Sequence, residues 1–193
     1  ISNPINELDN IISSLSITHI ELFIAAYTTL KSMQMYNDLT KILKICNSKN
    51  SCNIVESYLK ILLTKNLISF EQTNIYINSL YSNKPNTNLN LENDKFINSE
   101  LGIIVNVYIF GEGYNCPELN GVVICENMES NNRIVQTTLR PNRLNKLYPN
   151  KKSYIILPYI DFNDNFNNIL TILYTLRNID ENIEQKIKLL ELS

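Results

Sequence analysis

Three side chains between residues 136 and 143 have the chemical types and the spacing of a phosphate-binding group. Gln136, Arg140 and Arg143 fall at i, i+4 and i+7, a spacing that would place them on one face of a helix. A guanidinium group donates paired hydrogen bonds to phosphate oxygens, so two arginines and an amide on a shared face suit phosphate binding. The alternative is a solvated helix face on which both arginines make ordinary salt bridges.

A glycine-rich loop, FGEGYNCP at residues 110–117, precedes this group. Gly111 and Gly113 follow an apolar run at residues 102–110 that predicts a buried strand, and glycine permits positive φ or a close approach to a ligand. The asparagine and the proline later in the loop favour a sharp turn. A second apolar run at residues 119–125 predicts another strand. The alternative is that the loop is a turn and binds nothing.

These two segments resemble known motifs. EGYNCP at residues 112–117 and QTTLRPNR at residues 136–143 resemble motifs V and VI of superfamily 2 helicases, whose usual forms are EGxDxP and QxxGRxxR. The following NKKSYIILPYI resembles the strand after motif VI, and the ordered match covers about residues 74–160. The resemblance implies the C-terminal RecA-like lobe of such a helicase, an α/β three-layer sandwich with a mostly parallel central sheet. The LRPNR wording resembles helicase-like proteins of large DNA viruses.

The resemblance also implies an ATP site shared between two lobes. The partner would be a first RecA-like lobe of the same chain, which would hold most of the Mg²⁺ coordination, and the track would be DNA or RNA. Catalytic roles fall to Arg140 and Arg143, since an arginine beside the γ-phosphate can raise the rate by about 10³–10⁵. The other residues implied to bind ATP are Gln136, Gly113 and Asn115. The residues implied to face nucleic acid are Thr28, Thr29, Ser79 and Glu112; for either threonine the alternative is a helix cap.

The sequence departs from the usual motifs at three positions. Leu139 replaces the glycine of motif VI, Asn115 replaces the acidic residue of motif V, and Pro141 predicts that the helix ends or kinks near Arg140. These departures keep open a second hypothesis, a degenerate helicase-like module that binds or scaffolds without catalysis. A third hypothesis, an unrelated α/β nucleotide-binding enzyme, would need its own catalytic acid or nucleophile at a strand end.

The chain contains neither a GxxxxGK[ST] phosphate loop nor a DExx box beside a strand. We therefore expect the isolated domain to be inactive as an ATPase and to complete a site whose other half lies on another domain.

Composition limits the other possibilities. The 193 residues suit one domain, and a net charge of −2 gives no global basic field. With one histidine and no CxxC pair, we expect no metal site; the cysteines are Cys46, Cys52, Cys116 and Cys125. No signal peptide and no apolar run of about 18 residues are evident, so we expect an intracellular protein without a membrane span. If the source is viral, the expected location is the host cytoplasm or the virion. We also expect the isolated domain to be a monomer.

Strands alternate with helices along the chain, which predicts the α/β class. We interpret residues 1–16 as a lead-in from a missing first lobe and residues 17–193 as the lobe itself. The predicted strands are 17–26, 74–80, 102–110 (central), 119–125 and 152–160. The predicted helices are 5–15, 30–46, 54–63, 91–98 and 169–190, together with the one that carries Gln136. In such sheets ligands bind at the carboxyl ends of the strands, where the glycine-rich loop begins.

Overall fold

The computed structural model describes residues 4–72, 74–107, 116–128, 130–143, 145, 147–159 and 166–189. Within these ranges one sheet is formed by β1 (Lys41–Ile45), β2 (Ile75–Leu80), β3 (Leu101–Asn106), β4 (Gly121–Ile124) and β5 (Tyr154–Ile156). The strand order across the sheet is β2-β3-β1-β4-β5, and every neighbouring pair is parallel. The prediction of a mostly parallel central sheet is confirmed.

Helices cover both faces of this sheet. One face carries α1 (Pro4–Ser14), α2 (Ile20–Met35) and α3 (Lys49–Thr64), and the other carries α4 (Leu89–Asn98), α5 (Asn131–Thr138) and α6 (Phe166–Arg177). A short α7 (Ile183–Lys186) contacts α6. Successive strand residues point to opposite faces, so Ile103 packs in the first hydrophobic core and Ile104 in the second. The architecture is the predicted RecA-like three-layer α/β sandwich.

The segment predicted as a strand at residues 17–26 is wrong, because α2 begins at Ile20. This helix buries residues around most of its circumference, including Phe23 and Leu30, so it lacks the polar face of an amphipathic helix. Its apolar residues therefore follow one another as they do in a buried strand. The length of the run, which continues to Met33, is the feature that distinguishes a helix.

The helix predicted at residues 30–46 is also wrong in its second half. The helix ends at Met35, and the chain then forms β1, the central strand of the sheet. The prediction rested on Met33, Tyr36, Leu39, Ile42 and Leu43, whose spacing suits one side of a helix. All 5 residues of β1 are nevertheless buried, both lysines included.

The other elements follow the prediction more closely. The helices predicted at 5–15, 54–63 and 91–98 correspond to α1, α3 and α4, and the strands predicted at 74–80, 119–125 and 152–160 to β2, β4 and β5. The described part of the run at 102–110 contributes to β3, which lies beside β1 and not at the centre of the sheet. The terminal helix predicted at 169–190 is divided into α6 and α7 by a turn in which Asp180 accepts a hydrogen bond from the backbone of Asn182, 3.0 Å away.

The described part of the 1–16 segment packs on the domain. Ile11 of α1 is 7% exposed and lies in the first hydrophobic core with residues of α2 and α3. The assignment of this segment as a lead-in from a first lobe stays a prediction.

A glycine permits the close approach of α4 to β3. A Cβ atom at Gly102 would lie 2.6 Å from Cδ2 of Phe96. Phe96 has no exposed surface, so its ring cannot move aside without disturbing the second core.

Candidate functional site

The residues predicted to bind phosphate begin on α5. The hydroxyl of Ser130 caps this helix and accepts a hydrogen bond from the backbone of Arg133, 3.4 Å away. Ile134 and Thr138 are buried against the second core, which fixes the inner face of the helix. Gln136 lies on the exposed side.

The helix ends before the first arginine, as Pro141 predicted. A turn of 3-10 helix follows at Arg140–Asn142, and Nε of Arg140 donates a hydrogen bond to the carbonyl of Gln136, 3.3 Å away. Arg143 comes after this turn with extended backbone angles, φ −62° and ψ 136°. The expectation that Arg143 shares a helical face with Gln136 is therefore wrong, because proline has no N–H group and cannot continue the helix.

The end of the glycine-rich loop and the arginine segment are tied to one stretch, residues 151–153, which leads into β5. Nζ of Lys151 donates hydrogen bonds to the carbonyl oxygens of Pro117 and Leu119, each 2.7 Å away. The hydroxyl of Ser153 donates to the carbonyl of Pro141, 2.8 Å away. Pro117 closes the glycine-rich loop and Pro141 lies between the two arginines. The end of the glycine-rich loop at Pro117 and the arginine segment at Pro141 therefore both lie beside the amino end of β5.

Three predicted site residues, Glu112, Gly113 and Asn115, lie outside the described residues, and their roles stay predictions. The next residue after Asn115 is Cys116, which is buried. Burial lowers the pKa of Lys151, and the nearby groups of Cys116 and Glu118 oppose this shift. Cys116 and Glu118 therefore lie on the side of the loop that faces Lys151.

The two threonines predicted at the nucleic-acid face lie inside α2, so neither caps a helix. The hydroxyl of Thr29 donates to the carbonyl of Ala25, 2.7 Å away, and accepts a hydrogen bond from Lys44. Thr29 is 0% exposed and has no surface with which to contact nucleic acid. Thr28 is partly exposed, and its contact with nucleic acid stays a prediction.

Ser79, also predicted at the nucleic-acid face, is buried beside the carboxyl end of β2. Its hydroxyl donates to Asn53 Oδ1 at 3.1 Å and accepts from Lys84 Nζ at 2.9 Å, and its backbone N–H donates to Glu56 at 2.9 Å. Burial raises the pKa of Glu56, but hydrogen bonds from Lys60 and Ser79 outweigh it and leave that pKa lowered. Ser79 therefore forms buried hydrogen bonds that connect Asn53, Glu56 and Lys84.

Sequence reasoning missed the buried cation at the centre of the sheet. Nζ of Lys44 donates to the carbonyl of Ala25, 2.8 Å away, and to the hydroxyl of Thr29. Burial lowers the pKa of Lys44, because removal from water penalises the charged form. The lysine between apolar residues in KILKI was the signal available in the sequence, but its hydrogen-bond partners, Ala25 and Thr29, lie on α2.

Two polar residues at the carboxyl edge were also missed. The carboxylate of Glu126, just after β4, accepts hydrogen bonds from the backbone of Asn47 at 2.6 Å and from the hydroxyl of Ser51 at 3.1 Å. It therefore joins the end of β4 to the first turn of α3. At the end of β3, the buried amide nitrogen of Asn106 has no hydrogen-bond partner in the part of the chain that the structure describes. An acidic residue directly after an apolar run was the signal that could have indicated Glu126.

Within the described ranges, no group of three or more His, Cys, Asp or Glu side chains is arranged to hold a metal ion. None of the helices described here combines the length and the apolar character that a membrane span requires.

Residues 25–145 match the protein family described as the helicase conserved C-terminal domain. The chain belongs to this family. The match extends from within α2 to just beyond the arginine segment, so it includes both motif-like segments. This helicase domain is accordingly a second RecA-like lobe. No curated protein matches the sequence.

Solved structures show the same fold at low sequence identity. The domain resembles the ATP-dependent Type ISP restriction-modification enzyme LlaBIII bound to DNA, with a TM-score of 0.68 and 18% identity over 93% of this chain and 13% of that one. It also resembles a fragment of a putative HsdR subunit of a type I restriction enzyme from Vibrio vulnificus (TM-score 0.55, 15% identity, 77% and 28% covered). Domain 2 of the DEAD-box helicase Mss116p bound to an RNA duplex gives a TM-score of 0.51 at 16% identity.

The helicase domain is much shorter than these relatives. It covers 48% of the Mss116p chain and 13% of the LlaBIII chain, less than two thirds of either. At these identities the likeness shows the shared fold, and the chemistry has to be argued from the residues of this chain.

Proposed function

We propose that this domain is the second lobe of an ATP-dependent helicase or translocase, and that it completes an ATP site whose other half lies on a first lobe of the same protein. Arg140 and Arg143 would place positive charge beside the γ-phosphate, and Gln136 would orient the nucleotide. Gly113 and Asn115 would bring backbone and amide groups to the same nucleotide. Magnesium would be held mainly by the first lobe.

The observation that carries this proposal is the shared anchoring of the two motif-like segments. Lys151 binds the carbonyl of Pro117 at the end of one segment, and Ser153 binds the carbonyl of Pro141 inside the other. A site for a triphosphate needs its donors held in fixed relative positions, because preorganised donors lose little on binding. One short stretch before β5 fixes Pro117 and Pro141, the residues next to the proposed donors, relative to each other, which supports this proposal.

The donor set fits a nucleoside triphosphate. Two guanidinium groups and one amide lie within eight positions of each other, and guanidinium groups match the geometry of phosphate oxygens. The chain has no phosphate loop and no DExx carboxylates, so it cannot supply the remainder of the site. These two facts together support the proposal of a composite site.

The scaffold hypothesis stays the alternative, and one of its arguments is weakened. Leu139, which replaces the usual glycine, has φ −82° and ψ −8°, a right-handed helical conformation open to any residue. The glycine is therefore not required for the backbone to turn at this position. The proposed source among large DNA viruses and the proposed monomeric state stay predictions.

Phosphate release tests the proposal. The 193-residue chain alone should release no phosphate from ATP above a buffer blank, whereas the longer protein with an intact first lobe should do so in the presence of nucleic acid. Turnover by the isolated chain in proportion to its concentration would contradict the composite site. Absence of turnover in the longer protein, with its first lobe folded and its phosphate loop intact, would favour the scaffold.

A further inference from the structure

The chain contains a single Asn-Gly pair, which lies at the start of β4. Asn120 immediately precedes the strand and Gly121 is its first residue. Asparagine is a chemically labile residue, and it deamidates fastest before glycine, because no Cβ atom hinders attack by the glycine nitrogen on the side-chain amide. The fold nevertheless requires both residues at these positions.

Packing requires glycine at position 121. A Cβ atom there would lie 2.6 Å from Cδ1 of Leu39 and 2.9 Å from Cγ1 of Ile42. Both neighbours are 0% exposed, so neither can move aside without disturbing the first hydrophobic core. A bulkier residue would slow deamidation, but this contact leaves no room for one.

Hydrogen bonds require an amide at position 120. Oδ1 of Asn120 accepts from the backbone N–H groups of Thr40 at 3.2 Å and Lys41 at 2.9 Å. Nδ2 donates to the carbonyl oxygen of Asp38, and the residue is 5% exposed. A carboxylate would still accept the first two bonds, but it has no hydrogen for the third. Two oxygen atoms would then face each other in a buried position.

The backbone of Asn120 is held as firmly as its side chain. Its N–H group donates to the carbonyl of Lys41 at 3.0 Å, and its carbonyl accepts from the N–H group of Tyr154 at 2.8 Å. The residue is therefore bonded to β1 and β5 at once. Deamidation requires the side chain to rotate until Cγ meets the nitrogen of Gly121, and this rotation breaks all three side-chain hydrogen bonds. The reaction is thus blocked while the sheet is intact.

We propose that Asn120 is a deamidation site that the folded domain protects and the unfolded chain exposes. The nitrogen of Gly121 loses its proton to solvent and bonds to Cγ of Asn120, while the Cγ–Nδ2 bond breaks and ammonia leaves. Water then opens the resulting succinimide at one of its two carbonyl groups, which gives an aspartyl or an isoaspartyl residue.

Neither product fits the folded sheet. Both lack the hydrogen that Nδ2 donates to Asp38. The isoaspartyl product also places the side-chain methylene in the backbone, which displaces Gly121 from its partners Ile42 on β1 and Tyr154 on β5. A chain that is modified while unfolded should therefore fail to regain the stability of the original, so unfolding becomes irreversible with time.

Mass spectrometry of the peptide that contains Asn120 measures the reaction in the unchanged 193-residue protein. At mildly alkaline pH, deamidation should be faster by about 10³-fold or more in guanidinium chloride than in buffer, because the folded chain reacts only through its small unfolded fraction. After dilution from denaturant, the recovered folded fraction should fall in step with the unmodified fraction at Asn120. Equal rates in the two solvents, or full recovery of modified chains, would overturn the proposal.

A destabilised variant tests the route of the reaction. Ile172, on α6, is 1% exposed and packs in the second core near the carboxyl end of β4, whereas Asn120 lies at the amino end. Ile172→Val should raise the deamidation rate in buffer by the same factor as it raises the equilibrium constant for unfolding. An unchanged rate would show that the reaction does not pass through the unfolded chain, contrary to the proposal.

Asn120→Asp reproduces the aspartyl product, and Asn132→Asp provides the matched control. Asn120→Asp should raise the equilibrium constant for unfolding by about tenfold or more, since it leaves a buried oxygen against a carbonyl. Asn132 is exposed in the first turn of α5, where a negative charge is favourable, so Asn132→Asp should not raise it. A failure of Asn120→Asp to fold agrees with the proposal. Equal stability of the two variants contradicts it.

Discussion

The hydroxyl of Thr29 accepts a hydrogen bond from the ammonium group of Lys44, and neither side chain has any exposed surface. The bond joins α2 to the central strand across the first hydrophobic core. Burial lowers the pKa of Lys44, and groups on Cys125 and Cys46 only partly oppose that shift. A charged group held in an apolar core without a strong counter-charge reduces the stability of the fold.

We expect Lys44→Met to raise the free energy of unfolding at neutral pH by about 1–4 kcal/mol. The substitution removes the buried charge at similar volume, and the hydroxyl of Thr29 still donates to the carbonyl of Ala25. Urea denaturation measures the change. Thr29→Val is the comparison, since it keeps the charge but removes an acceptor and should destabilise the protein. A destabilised Lys44→Met variant would contradict the expectation.

The same pair gives a pH dependence. The pKa of Lys44 is lower in the folded chain than in the unfolded chain, so between the two values the unfolded chain binds more protons. The loss of stability caused by burying the charged Lys44 is complete at pH values below its pKa in the folded chain. This loss decreases as the pH rises from the folded-state pKa towards the unfolded-state pKa. The stability gained by Lys44→Met should therefore shrink on the alkaline side. Tyr76 and Tyr154, whose pKa values burial raises, are present in both proteins and cancel in the difference.

Arginine substitutions in the longer protein test the proposed site. Arg140→Ala and Arg143→Ala should lower kcat for ATP more than they raise KM, because charge beside the γ-phosphate acts mainly in the transition state. Lysine at either position should rescue poorly, since a point charge does not replace a planar fork. Because Arg143 lies beyond the 3-10 turn, the two variants need separate assays. Unchanged turnover in both would exclude the composite site.

The stretch before β5 offers a test of positioning. Ser153→Ala removes the hydrogen bond to Pro141 but leaves both arginines in place. We expect reduced kcat in the longer protein with little change in KM and a loss of about 1 kcal/mol or less in stability. Thr171→Ala, which removes an exposed hydroxyl bound to Asn167 within α6, should leave kcat unchanged. Equal effects of the two variants on kcat would show that Ser153 has no positioning role.

Gly102→Ala should destabilise the domain by about 1–3 kcal/mol, because the added methyl group overpacks the contact with Phe96. The loss should be smaller in a chain that also carries Phe96→Leu, since leucine occupies less space there. Chemical denaturation of the four proteins gives the coupling between the two positions. Strictly additive losses would show that the ring and the methyl group do not meet.

Local sequence patterns predicted the helices and strands in which apolar residues are buried and polar residues are exposed. The helix at 54–63 has a buried face and an exposed face, so its period could be read from the sequence alone. The helix α2 (Ile20–Met35) and the strand β1 were missed for opposite reasons. The first is buried almost all round and has no polar face, and the second contains Lys41 and Lys44, whose hydrogen-bond acceptors lie on distant segments.

The candidate site was predictable in its chemistry and less so in its geometry. Pro141 is a local signal, and it correctly placed the end of α5. The anchoring by Lys151 and Ser153 depends on the pairing of β4 with β5, where Gly121 lies opposite Tyr154. That register is a property of the assembled sheet, so spacing along the chain does not contain it.

The strand order has a consequence for synthesis on the ribosome. β1 lies between β3 and β4, and both of these strands leave the ribosome after it. Elongation from β1 to β3 takes on the order of several seconds, during which the middle strand has no partner on either side. Parallel pairing between distant segments is slow to form even in a complete chain. In the nascent domain β1 therefore stays unpaired until β3 and β4 have been synthesised.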